Sequence, residues 1–169
     1  MSGSDIWILT LPAPNAARNG ASGPQPATRP FVKTSFTERD AQFSPDGRWL
    51  AYDSNESGRF EVYVRAFPEG VRKWAVSTEG GFYPMWSPSG REIFYRSRST
   101  MMAVAVETAS DFRVDKPCVL FDATAYENTF SVSPDGKRFL MMPLVAHEAA
   151  PTQVHLVFNW LEELRQRVK

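Results

Sequence analysis

The chain has 169 residues, enough for one domain with a real core. Its 19 basic and 19 acidic residues cancel, so charge implies no general affinity for nucleic acid or an anionic membrane. A single cysteine, Cys118, excludes an intramolecular disulfide and a thiolate metal cluster, and no stretch reaches the roughly 18 apolar residues of a membrane span.

In chain order, Asp5 to Leu11 reads as a strand. Its apolar run is too short for a signal-peptide core and lacks a basic leader, so the expected compartment is the cytoplasm. Residues 12–30 carry Pro12, Pro14, Pro24, Pro26 and Pro30 and read as a long surface loop. Phe31 to Thr34 is a short strand candidate. The next unit has four predicted strands: Ala41–Ser44, one led by Trp49–Tyr52, Glu61–Ala66 and Lys73–Ser77. A second unit repeats them as Tyr83–Trp86, Glu92–Arg96, Met101–Val106 and Cys118–Phe121. Its last strand is apolar, which predicts a buried, inert Cys118 thiol. A third unit offers Thr129–Val132, Arg138–Met142 and Gln153–Phe158. The chain then reads as a helix over 159–168. Asn159 caps it, Glu162 completes a capping box, and Trp160, Leu161, Leu164 and Val168 form one apolar stripe.

One phrase recurs through these units: Ser44-Pro45-Asp46-Gly47, Ser87-Pro88-Ser89-Gly90 and Ser133-Pro134-Asp135-Gly136. Its prolines lie 43 and then 46 residues apart. Proline presets the second turn position and glycine takes the left-handed one. A period near 40–45 residues with short strands around each turn marks β-propeller blades. The reading is all-β: a partial propeller of about three four-stranded blades with a short C-terminal helix. Its boundaries are 5–34 for the N-terminal strands and loop, 38–78 and 79–122 for two blades, 126–158 for an incomplete blade, and 159–168 for the helix. Three blades cannot close a ring, because propellers have about four to eight. The expectation is a homodimer forming one six-bladed ring, the last blade of each subunit finished by the other's N-terminal strands. The alternative is half of a longer protein.

Phe43-Ser44-Pro45-Asp46-Gly47-Arg48-Trp49-Leu50-Ala51-Tyr52, with Asn55-Glu56-Ser57-Gly58-Arg59 and Glu61-Val62-Tyr63-Val64, resembles the TolB-like, WD-repeat-like propellers of bacteria. Lys73 to Thr78, Arg91 to Tyr95 and Asn159 to Leu164 are similar to the C-terminal propeller of acidobacterial receptor-type serine/threonine kinases. The resemblance runs from Asp5 to Val168 and is specific for fold, weak for activity. It implies an extracytoplasmic propeller. No glycine-rich nucleotide loop, Asp-Phe-Gly or catalytic His-Arg-Asp is present, so kinase activity does not transfer.

No Gly-x-Ser-x-Gly elbow and no His-Glu-x-x-His occurs. Asp46 and Asp135 are explained by their turns. Propeller geometry puts the loops entering the inner strands on one channel face, which selects Glu38, Arg39, Asp40, Tyr83, Tyr126, Glu127 and Asn128 as ligand-binding candidates. The loop 143–152, with His147 and Glu148, belongs to the same face. Carboxylate and imidazole suit zinc, calcium or manganese, and Glu38, Asp40, Glu127 and His147 are the metal-ligand candidates. The leading functional reading is a non-enzymatic binding or assembly module for a peptide, protein or small molecule. The second is a metal-dependent hydrolase (esterase, lactonase or phosphotriesterase) with its site in the channel.

Overall fold

A computed structural model describes residues 3–11, 26–109 and 111–144. These form thirteen strands and no helix, in four antiparallel sheets. The first sheet pairs β1 (Ile6–Thr10) with β2 (Ala27–Val32). The second runs β3 (Glu38–Phe43), β4 (Trp49–Ser54), β5 (Glu61–Ala66) and β6 (Lys73–Ala75) in that order. In the third, β7 (Phe82–Trp86), β8 (Glu92–Ser97) and β9 (Thr100–Glu107) are followed by β10 (Arg113–Val114) and β11 (Cys118–Asp122), both paired with β9. The fourth pairs β12 (Tyr126–Val132) with β13 (Phe139–Pro143).

The repeated turns set this frame. Gly47, Gly90 and Gly136 hold φ of 70°, 69° and 71°, where a side chain would be strained. In each turn the first serine accepts the next strand's leading amide, as when Trp49 N donates to Ser44 Oγ at 3.0 Å. Successive turns also stack. The Cα of Gly90 faces Pro45 and that of Gly136 faces Pro88, with a Cβ there falling 3.7 and 3.6 Å from the proline Cδ.

Alternation along the central strands then fills the seams between sheets. Trp49, Ala51, Val62 and Val64 meet Trp86, Ile93, Tyr95 and Phe112 in the largest core. The opposite face of β4, with Leu50 and Tyr52, packs on Ile6 and Val32 of the first sheet. Phe94, Met101 and Ala103 pack on Phe130, Phe139 and Met141 of the fourth.

Three expectations change. Residues 27–30 are strand, not loop: pairing with β1 overrides local composition, and Pro30 is tolerated because a two-stranded sheet has free edges. Cys118 is exposed rather than buried, because among the described residues β11 pairs only with β9 and its apolar residues Val119 and Leu120 also face outward. The third sheet has a fifth short strand, β10, pairing with the far end of β9. The strand expected at Gln153–Phe158 and the helix at 159–168 lie outside the described residues.

Candidate functional site

The inner strands β3, β7 and β12 run side by side, β7 packing against both of the others. Each breaks register with its neighbour at the same stage. The shifts fall between Arg39 and Gln42, between Phe82 and Met85, and between Tyr126 and Phe130. At the first two, Asp40 (φ 53°) and Tyr83 (φ 56°) take the left-handed region, uncommon for residues with side chains. These bulges turn consecutive residues toward a common space instead of alternating them strictly across the sheet.

Two adjoining cavities result. One of about 320 Å³ is lined by Arg39, Arg59, Phe60, Gly80, Phe82, Tyr83 and Asn128. The other, about 190 Å³, is lined by Asp40, Gln42, Tyr83, Pro84, Met85, Thr129 and Phe130. Tyr83 is common to both. Arg39, Tyr83 and Asn128 therefore arrive from three different sheets.

The charges are arranged in depth. The Arg39 guanidinium lies 3.8 Å from the centre of the Phe60 ring, a cation–π stack. Its Nε donates to Asp53 Oδ2 at 3.3 Å and lies 3.6 Å from Asp40 Oδ2. Arg59 donates through Nε to Glu61 Oε1 at 2.7 Å and through Nη2 to the Thr78 carbonyl. Among the described lining residues, both charged groups of the larger cavity are cations. Arg39 is paired with buried Asp53 and part-exposed Asp40, and Arg59 with buried Glu61.

Asp53 has no exposed surface, and its Oδ1 has no hydrogen-bond partner. Burial pushes its carboxyl up to about 7, against the pull of Arg39, and Asp40 adds to the rise. Burial also raises Asp40, again opposed by Arg39.

The other candidates are placed elsewhere. Glu38 is buried in the seam with the first sheet, where its Oε1 accepts from Thr34 Oγ1 at 2.5 Å and its backbone amide donates to the Ser4 carbonyl at 2.8 Å. It lines neither cavity. Tyr126 and Glu127 are exposed on β12 and line neither. His147 and Glu148 lie outside the described residues. Among the described residues no three His, Cys, Asp or Glu side chains gather where they could hold a metal, so Glu38, Asp40 and Glu127 do not form one ligand set.

Sequence reading passed over Asp53, Arg59, Phe60 and Arg96. A signal for two of them was present. Tyr52-Asp53-Ser54 and Tyr95-Arg96-Ser97 each set a charge at the end of an apolar strand, at the same place in the repeat. The Arg96 side chain is buried, and its Nη1 and Nη2 donate to the Ala123 carbonyl at 3.3 and 3.2 Å.

No family model matches the chain. It is 28% identical over 123 residues to an uncharacterized protein of Agrobacterium fabrum, covering 64% of this chain and 42% of that one. Among solved structures, an oligogalacturonate lyase from Vibrio parahaemolyticus superposes with a TM-score of 0.54 at 17% identity, over 82% of this chain and 37% of that one. An oligogalacturonate lyase in complex with manganese gives 0.52 at 19%, over 80% and 36%. A protein designated TolB from Agrobacterium tumefaciens gives 0.39 at 16%, over 68% and 36%. At these identities the likeness to the two lyases is one of fold. The chain carries a propeller-like, all-β fold and spans about two fifths of the curated relative and little more than a third of the solved structures.

Proposed function

We propose that the chain is a non-enzymatic binding module whose ligand seats in the Arg39 cavity on the channel face. The observation that carries this reading is the convergence of Arg39, Tyr83 and Asn128 from three sheets on one cavity. Cationic groups line it, Phe60 and Phe82 form aromatic walls, and Asn128 offers a neutral hydrogen-bonding amide. That chemistry suits a small molecule carrying a carboxylate on a flat or ring-shaped body. Acidic sugars meet the description, and the name of the neighbouring lyases makes oligogalacturonate the natural first probe.

Titration calorimetry with oligogalacturonate, beside an uncharged oligosaccharide of equal length, tests this. The expected result is binding of the acid alone, weakened at least tenfold by Arg39→Met. Equal binding of both sugars, or an undiminished Arg39→Met variant, overturns it.

A second reading, the metal-dependent hydrolase, is favoured by the manganese in one structural neighbour. It would need a bound metal to activate water for attack on an ester or phosphoryl group. Stoichiometric zinc, calcium or manganese in the purified protein, with ester cleavage lost on chelation, would establish it over the binding module.

A further inference from the structure

A third cavity, of about 400 Å³, adjoins the Arg39 cavity across the link between β6 and β7. Gly80 of that link lines both. Both carboxylate oxygens of Glu61 accept from its amide, at 2.9 and 3.0 Å, and hold it in place. A Cβ on Gly80 would meet only Ser97 Oγ, at 4.0 Å. The border is therefore open toward Ser97, which lines the third cavity. Thr78 joins the two rims: it lines the third cavity, and its carbonyl accepts from Arg59 of the first.

The third cavity draws cations from two elements. Arg98 stands first in the two-residue turn between β8 and β9 with φ 53°, where glycine is the usual residue. Lys116 comes from the link between β10 and β11. Both are exposed, and among the described residues neither enters an ion pair. Arg39 and Arg59, by contrast, are each paired with a carboxylate. Tyr95 lines the same cavity from β8 and is only 3% exposed, yet among the described residues its hydroxyl makes no hydrogen bond. A buried hydroxyl normally has a partner. Burial pushes the Tyr95 hydroxyl up to about 12, and Glu61, Cys118 and Glu79 add to the rise, so it stays protonated and able to donate. Ser97 and Thr100 supply two more hydroxyls, and Met102 and Pro117 an apolar wall.

We propose that this cavity is a subsite for a further acidic unit of an oligomeric sugar ligand whose first unit seats beside Arg39. The inference rests on the reading of the Arg39 cavity as an acid-binding site. Arg98 and Lys116 take the carboxylate of the further unit. The hydroxyls of Tyr95, Ser97 and Thr100, with the Glu79 carboxylate as acceptor, meet the hydroxyls of its ring, and the apolar wall takes the C–H face. A single acidic sugar uses one cavity at a time. A chain of them crosses at Gly80 and gains from the effective concentration of its linked units.

Titration calorimetry with galacturonate and its trimer tests this. The expected result is a trimer bound at least tenfold tighter than the monomer, with Arg98→Gly and Lys116→Met together bringing the trimer down to the monomer's affinity. Glycine suits the backbone angle at Arg98 and Lys116 is exposed, so the double variant keeps the fold. Arg39→Met weakens both sugars, since both use the Arg39 cavity. A wild-type trimer no tighter than the monomer overturns the subsite and leaves the Arg39 reading standing, as does a trimer advantage that survives the double substitution. Failure of both acids to bind overturns the Arg39 reading, and the subsite with it.

Discussion

Asp53 and Arg96 occupy the same place in successive repeats, fully buried at the end of the second strand and facing the next sheet. One is an acid and the other a base. Asp53 is held by Arg39 from its own sheet, leaving one oxygen without a partner. Arg96 reaches forward to the Ala123 carbonyl in the link between β11 and β12, and its Nε is left without a partner. A buried charge is costly unless paired and hydrogen-bonded. The Asp53 pair belongs to the wall of a cavity that opens between sheets, whereas the Arg96 bonds tie two sheets together. The repeat therefore supplies a frame whose equivalent positions are free to hold different chemistry.

The largest expected effect belongs to Asp53 and depends on pH. Its carboxyl stands at about 7 in the folded protein, above the ordinary range near 3.9 that the unfolded chain restores. Between those values the folded state keeps a proton that the unfolded state has released. The contribution of Asp53 to stability is therefore full below about pH 4, falls as pH rises through 7, and is level above. Asp53→Asn, neutral throughout, is expected to match the wild type at pH 4 and exceed it by up to about 4 kcal/mol at pH 8. Parallel unfolding curves at the two pH values check this, and an unchanged gap between the proteins would show that Asp53 is ionised throughout.

A middle effect separates tie from wall. Arg96→Ala removes both bonds to the Ala123 carbonyl, which keeps its bond from Tyr126 N, and leaves a cavity, lowering stability by about 3 kcal/mol in urea unfolding. Arg96→Met, which keeps most of the volume and buries no charge, is expected to cost less. If the two variants are equally destabilised, the side chain acts through its charge and bonds and not through packing.

The smallest effect compares the turns. Asp46 Oδ1 accepts from Ser44 Oγ at 2.6 Å and from Arg48 N at 3.1 Å. In the next repeat Ser89 Oγ takes the same role at 3.0 Å from Ser87 Oγ and 3.3 Å from Arg91 N. Ser89→Asp is expected to stabilise by about 0.5 kcal/mol and Asp46→Ser to destabilise by a similar amount. Equal stability in all three proteins would make the turn oxygens interchangeable.

Much of the frame was legible in the chain. Ser-Pro-Asp-Gly dictates a turn through the fixed φ of proline and the left-handed glycine, and the alternation in Glu61-Val62-Tyr63-Val64 dictates a strand with two faces. The candidates Arg39, Asp40, Tyr83 and Asn128 line the adjoining cavities, while Glu38, chosen from the same inner-strand entry, turns into a seam. The difference is one of neighbours: β3 bulges after Arg39, and Ser4 and Thr34 of the preceding segment capture Glu38. Asp53 was missed because nothing within a few residues of it announces Arg39, which is 14 residues away.

Turn positions, strand period and the repeat are properties of short stretches, so the sequence by itself determined them. Which buried charges find partners, where the inner strands bulge, and why Cys118 faces outward were decided only by tertiary structure. Each depends on which sheet lies across the seam, and side chains far apart in the chain settle that together.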